Sequence, residues 1–526
     1  MRWTASIPVI ACAILGCGPS ADRPLRTWSI AVAALPGPLS GAFATAADDV
    51  NLAALIGQSP TTVRVVEGVA SVTPGLLSAW AWSEDGRRLT GTIRADATWQ
   101  DGTPVDAEDV AQTFALLLNP DARSPRRALF DDLEGPPRAL DPHTVEWTYR
   151  SAGVAEARLA ALSAIPPLPR ARLTAITPED AASHPDVQRP LASGAFRIDL
   201  DTPEGLRLVA RARSSTNVEA VLVRTLPDAV ARREAFLAGE LDVLHGMTRE
   251  DLRALDGQPG VQFVDRGPRT MEAIAFNVDD PLLTDPAVRR ALRATADVAR
   301  WAEALVDAPS STPLAQPARA PFPPWQVPPP PTFPVAAPTA GAQLDALGWT
   351  RRGPDAPRTR GGEPLRLGLL VNAENVRRMQ VAAAWQIDLA ALGVALNIEA
   401  VPLAAFKERM ANGSFQIAFH GFGAPIVAQP GPAWRSPTAS AARGANVSGL
   451  HDANVDAAID AWSTAEPSAR GDALADVARR VDEAAAFVPL WWLHEWVALG
   501  PRVGDALPDV VSPWTQLDAW TYRGEP

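Results

Sequence analysis

The residue types that most often carry catalysis or bind metals are sparse in this chain and stand apart from one another. No histidine has a second histidine four residues away, so the paired helical ligands of a zinc enzyme are missing; the six histidines are His143, His184, His245, His420, His451 and His494. The chain has neither a G-x-S-x-G nucleophile motif nor a phosphate-binding P-loop. The pattern predicts no catalytic residue, no metal site and no cofactor.

The acidic residues that could act in pairs are adjacent in sequence, as in Asp48-Asp49, Asp131-Asp132 and Asp279-Asp280. In extended chain, neighbouring side chains point to opposite sides, whereas acid–base work by two carboxylates needs both to face one substrate. We therefore expect these acids in turns and helix caps. A hydrolase remains the alternative enzyme class.

Composition and charge restrict the possible partners. The chain has 526 residues, enough for about three domains, and its 47% hydrophobic and 21% charged residues are typical of a globular protein. Its formal net charge of −12 argues against nucleic acid and against an anionic membrane surface as partners. The 17 tryptophans are expected mainly in cores and at domain seams.

Both cysteines, Cys12 and Cys17, lie in the N-terminal apolar stretch. Arg2 followed by an apolar run of nine residues, 7–15, predicts a signal peptide that is too short for a stable membrane span. Its end, Ile-Leu-Gly-Cys, resembles a bacterial lipobox. We expect a signal peptide at 1–16, a lipid on Cys17 and a tether at 17–26, with an ordinary signal peptide that happens to contain cysteines as the alternative.

The stretch Leu76 to Pro120 is the clearest structural unit. Alternating apolar residues around Trp80 and Trp82, a turn at Asp85-Gly86 and a second alternating run predict a β-hairpin. Asp106 then stands where a helix N-cap belongs, before the apolar run that starts at Val110. A hairpin packed on a helix positions other groups but has no chemistry of its own.

The same stretch carries a family resemblance. Its words A-W-x-W-S-E-D-G and I-R-A-D-A-T-W-Q-D-G-T-P-V-D-A-E-D-V closely resemble the signature of solute-binding protein family 5. These are extracytoplasmic receptors that feed peptides, nickel or other solutes to ABC transporters. Further resemblances follow along the chain, at Gly239–Leu244, Phe276-Asn277, Val288–Leu292, Gln343–Trp349 and Val488–Leu493.

The resemblance implies an α/β fold of two lobes, of the class with an extra domain. The expected parts are lobe I (27–70, 190–268 and 495–526), domain II (71–189) and lobe III (269–494). It implies two hinge crossovers, near Phe276 and near Leu493, about which the lobes close over a ligand. Arg289-Arg290 is expected on a solvated or domain-seam face.

The resemblance also implies a role and partners. The chain is expected to be a monomeric periplasmic or envelope receptor that binds a small peptide or peptide-like solute and docks on an ABC permease in the inner membrane. Neither an enzyme activity nor nucleic-acid binding is expected. A sensor or scaffold lipoprotein with the same fold is the second alternative.

The loop after residue 419 departs from the family. Peptide-binding relatives carry a word like h-G-W-x-x-D-Y-x-D-P, whose first Asp meets the ligand's ammonium group, whereas this chain has Pro425 and Ala428 about where the two acids belong. Without a carboxylate, the loop suits an aromatic, neutral or anionic group better than a free N-terminus. An acid elsewhere, Asp452 or Glu495, is the alternative. The candidate ligand-binding residues are Asn277, His420, Phe422, Trp434, Arg435, Trp491 and Trp492.

The Pro-rich passage 308–338 has two interpretations. Its prolines favour polyproline-II segments, which could bind an SH3-like partner. We favour an extended loop packed on lobe III, with Phe322, Trp325 and Phe333 as its anchors.

Overall fold

The computed structural model describes residues 26–34, 36–66, 69–211, 218–305, 312–327, 337–437, 445–506, 508, 511–514, 516–521 and 523. The expected signal peptide, Cys17 and most of the tether lie outside these ranges, as does Phe333. None of the helices in the described ranges combines the length and the apolar character that crossing a membrane requires.

Lobe I begins with a strand, a helix and a short hairpin, which are β1 (Thr27–Val32), α1 (Ala47–Ile56), β2 (Thr61–Val66) and β3 (Val69–Pro74). The hairpin lies at the predicted border with domain II, whose boundaries stay a prediction. The predicted range of domain II then contains β4 (Leu77–Trp82), β5 (Arg88–Ile93), α2 (Ala107–Leu118), β6 (Arg138–Asp141), β7 (Thr144–Thr148), α3 (Ala155–Leu162), α4 (Arg170–Leu173) and α5 (Pro185–Gln188).

The β-hairpin and helix expected between Leu76 and Pro120 are confirmed. Strands β4, β5, β7 and β6 form one antiparallel sheet, and α2 packs on it around Phe114 and Trp147. Asp106 caps α2 as predicted, because its side chain accepts the amides of Glu108 and Asp109 and the Asp109 carboxylate accepts the Asp106 amide.

The chain then returns to lobe I through β8 (Phe196–Thr202), β9 (Gly205–Ala210), β10 (Ala220–Thr225), α6 (Ala229–Leu237), β11 (Val243–Leu244) and α7 (Arg249–Leu255). The long strand β12 (Gln262–Phe276) leads from there into lobe III. The core of lobe I lies around Trp28, Phe196, Trp514 and Trp520, each at most 1% exposed.

Lobe III contains α8 (Pro286–Arg293), α9 (Val298–Leu305), β13 (Ala315–Pro317), α10 (Ala337–Ala346), β14 (Thr359–Arg360), β15 (Glu363–Pro364), β16 (Arg366–Asn372), α11 (Val376–Ala391), β17 (Ala395–Val401), α12 (Leu403–Asn412), β18 (Ile417–Gly423), α13 (Gly431–Trp434), α14 (Ala453–Thr464) and α15 (Arg470–Ala484). The strand β19 (Phe487–Leu499) runs back to lobe I.

One eleven-stranded mixed sheet spans both lobes, in the order β17-β16-β18-β12-β19-β11-β1-β10-β9-β8, with β13 paired to β19. Among the described strands, only β12 and β19 extend from one half of this sheet to the other, and they pair antiparallel along most of their length. Two apolar clusters cover the lobe III half, one around Trp385 and one around Trp434. The two-lobed α/β architecture predicted from the sequence is therefore observed.

The expectation for Arg289 is wrong. Arg289 is only 4% exposed, and its guanidinium donates to the carbonyls of Leu283, Thr284, Ala484 and Ala485. It thereby satisfies carbonyl groups at the end of α15 that the helix leaves without partners.

Candidate functional site

Strands β12 and β19 connect the two lobes, and their pairing is interrupted where they pass from one lobe to the other. The register of β12 against β19 shifts between Asp265 and Pro268, and again before Thr270. Opposite this irregularity lie Leu493 and His494, as expected for the second crossover. The first crossover lies earlier than expected: the register of β12 shifts between Asp265 and Thr270, whereas Phe276 ends the strand inside the lobe III half of the sheet, where β12 pairs with β18.

Polar groups fill the interruption. His494 Nδ1 lies 2.8 Å from Asp265 Oδ2, and Arg266 Nη1 lies 2.6 Å from Glu495 Oε2. Between these pairs Gly267 has a φ of +83°, a conformation that side-chain-bearing residues rarely adopt. The crossover thus combines an irregular backbone with cross-strand charges, which is where a hinge can absorb rotation.

The lobe III wall beside the crossover holds a buried charge cluster. Glu272 of β12 is 2% exposed and accepts from Arg377, Arg378 and the indole of Trp491. Burial by itself would raise the pKa of Glu272, but the hydrogen bonds and charges of the two arginines outweigh it and hold the pKa below its ordinary value. One carboxylate shared by two guanidinium groups leaves this cluster with a net positive charge.

His420 and Phe422 lie on the neighbouring strand β18 but on the opposite face of the sheet, because they stand opposite Ala273 and Met271, whereas Gly421 stands opposite Glu272. Their rings meet edge to face, with centroids 4.2 Å apart. Burial and the nearby Arg378 guanidinium lower the pKa of His420 to about 4, so its imidazole is neutral at physiological pH. This face of β18 therefore offers an aromatic surface and a neutral imidazole ring, while the guanidinium groups of the Glu272 cluster lie on the other face of the sheet.

Three predicted site residues, Trp434, Arg435 and Asn277, contact other residues of the protein. Trp434 is 3% exposed and packs on Phe422 and Phe487. Arg435 Nη2 donates to Asp460 Oδ1 at 2.6 Å. The Asn277 amide donates to the carbonyls of Gly413 and Phe415 at the end of β12 away from the crossover.

The two tryptophans of β19 are buried on opposite sides of the strand. Trp491 is fully buried in the Trp385 cluster, and its indole nitrogen donates to Glu272 at 2.9 Å. Trp492 is 2% exposed and belongs to the Trp434 cluster, where Phe322 of the Pro-rich passage joins it. The prediction that Phe322 anchors this passage on lobe III is confirmed.

Sequence reasoning missed a pair of arginines contributed by domain II and the crossover. Burial, together with the charge of Arg269 on β12, lowers the pKa of Arg126. Arg126 donates to the carbonyl of Ala44 and Arg269 to that of Val511, while the buried Nε of Arg126 has no hydrogen-bond partner among the described residues. Two guanidinium groups that lie close to one another can together attract an anion. The signal is invisible in the sequence because the two residues lie far apart along the chain.

The two acids considered as substitutes for the missing loop carboxylate are both engaged. Asp452 caps α14 by accepting the amides of Asn454 and Val455. Glu495 pairs with Arg266 at the crossover. In the described part of the chain, no group of three or more His, Cys, Asp or Glu side chains is arranged to hold a metal ion.

Comparisons with known proteins agree with this architecture. The chain is 23% identical to the nickel-binding periplasmic protein of Escherichia coli K12 over 459 residues, which cover 83% of this chain and 84% of that protein. It is 26% identical to the periplasmic murein peptide-binding protein MppA of the same organism, over 43% of this chain and 45% of that protein.

Solved structures show the same fold. The oligopeptide-binding protein AppA of Bacillus subtilis, in complex with a nonapeptide, superposes with a TM-score of 0.78 at 17% identity, covering 94% of this chain and 99% of that one. NikZ of Campylobacter jejuni, in complex with Ni(L-His), superposes with a TM-score of 0.77 at 20% identity, covering 95% and 100%.

The family match covers most of the chain. Residues 71–442 match the family described as "Bacterial extracellular solute-binding proteins, family 5 Middle". The family consists of solute-binding proteins that work with ABC permeases, and the relatives are periplasmic. The chain belongs to the bacterial extracellular solute-binding proteins of family 5.

Proposed function

We propose that this chain is the substrate-binding lipoprotein of an ABC transporter, which captures a peptide or peptide-like solute between lobe I and lobe III and delivers it to a permease in the inner membrane. The observation that carries the proposal is the pair of long strands β12 and β19, which join the lobes through an irregular and charged crossover. The alternatives are a sensor or scaffold lipoprotein and a hydrolase.

The proposed solute site lies on the lobe III wall at the crossover. His420 and Phe422 supply an aromatic surface on one face of the sheet, and the Glu272–Arg377–Arg378 cluster fixes charge on the other face. Among the described residues β18 pairs with β16 only through its first two residues, so a peptide-like solute can add main-chain hydrogen bonds along the later part of the strand. Closure of the lobes would then bury the solute among few, well-placed polar groups.

The charge of the site favours a solute with a neutral or anionic group. Arg126 and Arg269 supply two guanidinium groups that lie close to one another. The acids Asp265 and Glu495 are paired with His494 and Arg266. A free ammonium group in the closed cleft would lack a compensating carboxylate, and its desolvation costs several kcal/mol.

The solute can be identified directly. Native mass spectrometry of the purified protein, followed by analysis of the small molecules released on unfolding, should reveal a bound organic compound. That compound should raise the melting temperature by mass action and be recovered unchanged, whereas a chemically altered product would place the protein among the hydrolases. Nickel should be measured in the same sample, because one relative is named for binding it.

The lipid anchor has its own test. Cys17→Ser should give a protein without lipid that leaves the membrane fraction, while Cys12→Ser should remain acylated. Acylation of the Cys17→Ser variant, or a wild-type protein cut elsewhere and free of lipid, would contradict the anchor without affecting the proposed solute binding.

A further inference from the structure

The Pro-rich passage is fixed along the crossover strand. β13 pairs antiparallel with β19, with Gln316 opposite Trp492. Beyond this short ladder the carbonyls of Pro313 and Leu314 accept from Trp496 Nε1 and the His494 amide, each at 2.9 Å. The passage is therefore held on the same strand that carries the hinge.

A pocket of about 280 Å³ lies between this passage and Trp492. Phe322, Val327 and Pro317 line it together with the tryptophan, and Gln316 and Arg319 are the polar residues of its lining. Its volume lies near the lower end of that of small-molecule sites, which is enough for one aromatic ring and a short substituent. Aromatic and proline walls favour such a ring over a polar group.

Arg319 gives this pocket a specific chemistry. Its side chain is exposed and forms no hydrogen bond or ion pair within the described part of the chain. Arg435, by contrast, is neutralised by Asp460. A guanidinium group at an apolar pocket is complementary to a carboxylate, which it can bind through two parallel hydrogen bonds.

We infer that this pocket binds an aromatic ring that carries a carboxylate on a short linker, with the ring against Trp492 and the carboxylate on Arg319. The inference rests on the proposed function, because it takes the pocket as the subsite for the apolar end of the solute. It adds a chemical class, an aryl carboxylate, and assigns a binding role to the Pro-rich passage.

The test uses two probes of the same shape, para-fluorophenylacetate and its neutral amide, titrated into solute-free protein and followed by fluorine NMR. The wild type should bind the carboxylate about tenfold more tightly than the amide. Arg319→Gln should abolish this difference and Arg319→Lys should retain part of it. Arg138→Gln, which removes an exposed arginine from β6, should leave it unchanged.

A second variant tests the pocket itself. Ala320 is 3% exposed and lines the pocket, so Ala320→Leu should fill it and weaken both probes about tenfold. Its melting temperature reports whether the fold is retained, and Arg319→Gln provides an independent test at an exposed position. Equal binding of acid and amide by the wild type, or unchanged binding by folded Ala320→Leu, would overturn the inference.

The outcome is separate from that of the proposed function, because the probes need no natural solute. Probe binding that is weakened by both variants supports the pocket, whether or not the purified protein yields a natural solute. Absence of a natural solute would remove support only from the proposed function. Recovery of a natural solute, together with probe binding that neither variant changes, would support the proposed function and overturn the inference about the pocket.

Discussion

Glu156 of α3 and Arg470 at the start of α15 form an ion pair of 2.7 Å that joins domain II to lobe III. Beside it, Gln429 Nε2 donates to the carbonyl of Ala157 at 3.3 Å, and Val154 is buried in the Trp434 cluster of lobe III. These contacts can form only while domain II and lobe III lie side by side. They should therefore stabilise the closed arrangement relative to an open one.

Removing this ion pair should weaken solute binding modestly. Glu156 is 54% exposed, and such pairs are worth about 1 kcal/mol or less, so Arg470→Gln should reduce the affinity of the recovered solute by about two- to fivefold. Calorimetry measures the affinity, and small-angle scattering should detect a larger open population. Arg479→Gln is the matched control, because Arg479 pairs only with Asp476 and Glu483 of its own helix in the described residues. Equal affinities of the two variants would contradict the role of Glu156.

The buried Glu272 cluster should contribute strongly to stability. Glu272→Gln leaves two guanidinium groups without their shared carboxylate, so we expect a loss on the order of 3 kcal/mol in the free energy of unfolding, measured by urea denaturation. Glu399→Gln is the control, because Glu399 forms a partly exposed pair with Arg409 elsewhere in lobe III. A loss no larger than that of the control would show that the cluster is not a stability determinant.

The same cluster predicts an acid dependence. Because the pKa of Glu272 in the folded protein lies below its ordinary value, the unfolded chain takes up this proton first as the pH falls. The stabilising contribution is thus present above the ordinary glutamate pKa and is lost as the pH falls through the folded value. In Glu272→Gln the stability difference from wild type should shrink with acidification.

His420 predicts a second acid dependence of stability, because burial and Arg378 favour its neutral form in the folded protein. Its pKa in the folded protein is about 4, below the ordinary histidine value, so the unfolded chain binds this proton in preference. Stability should fall as the pH drops from about 6.5 towards 4, and His420→Gln should remove part of that slope. NMR titration measures the pKa directly, and a value near 6.5 would contradict the buried neutral imidazole.

Local signals in the sequence predicted the elements well. The helix after Asp106 was predictable because its capping groups lie within three residues of each other. The burial of Arg289 was not predictable, because Arg289 caps a helix that ends almost two hundred residues further along the chain. A basic pair in a helix is usually solvated, and only the packed fold shows that one of the two is buried.

The candidate site likewise contains residues that local motifs predict and residues that they do not. Short motifs indicate His420, Phe422, Trp491 and Trp492, and the structure places them around the lobe III end of the crossover strands. Arg435 is the nearest charged residue in the loop, but Asp460 of a later helix forms an ion pair with it. Arg126 and Arg269 could not be paired from the sequence, because their proximity depends on how domain II meets the crossover.

The charge of the solute's end group should decide how tightly the solute binds. Peptides with a free and with an acetylated N-terminus should bind with similar affinity, since the loop after β18 offers no carboxylate to an ammonium group. Anionic solutes should bind more tightly than their neutral amides, and Arg269→Gln should reduce that preference about tenfold. Calorimetric titration of each matched pair measures both preferences.

Arg435→Ala decides which arginine meets the anion. Because Asp460 already neutralises Arg435, this variant should keep the wild-type preference, whereas Arg126→Gln should weaken it together with Arg269→Gln. Loss of the preference in Arg435→Ala alone would return the anion site to the loop after β18. A strong preference for the free amine that none of the three variants changes would contradict the prediction of an anionic end group. It would mean that a carboxylate such as Glu495 leaves Arg266 to bind the ligand's ammonium group.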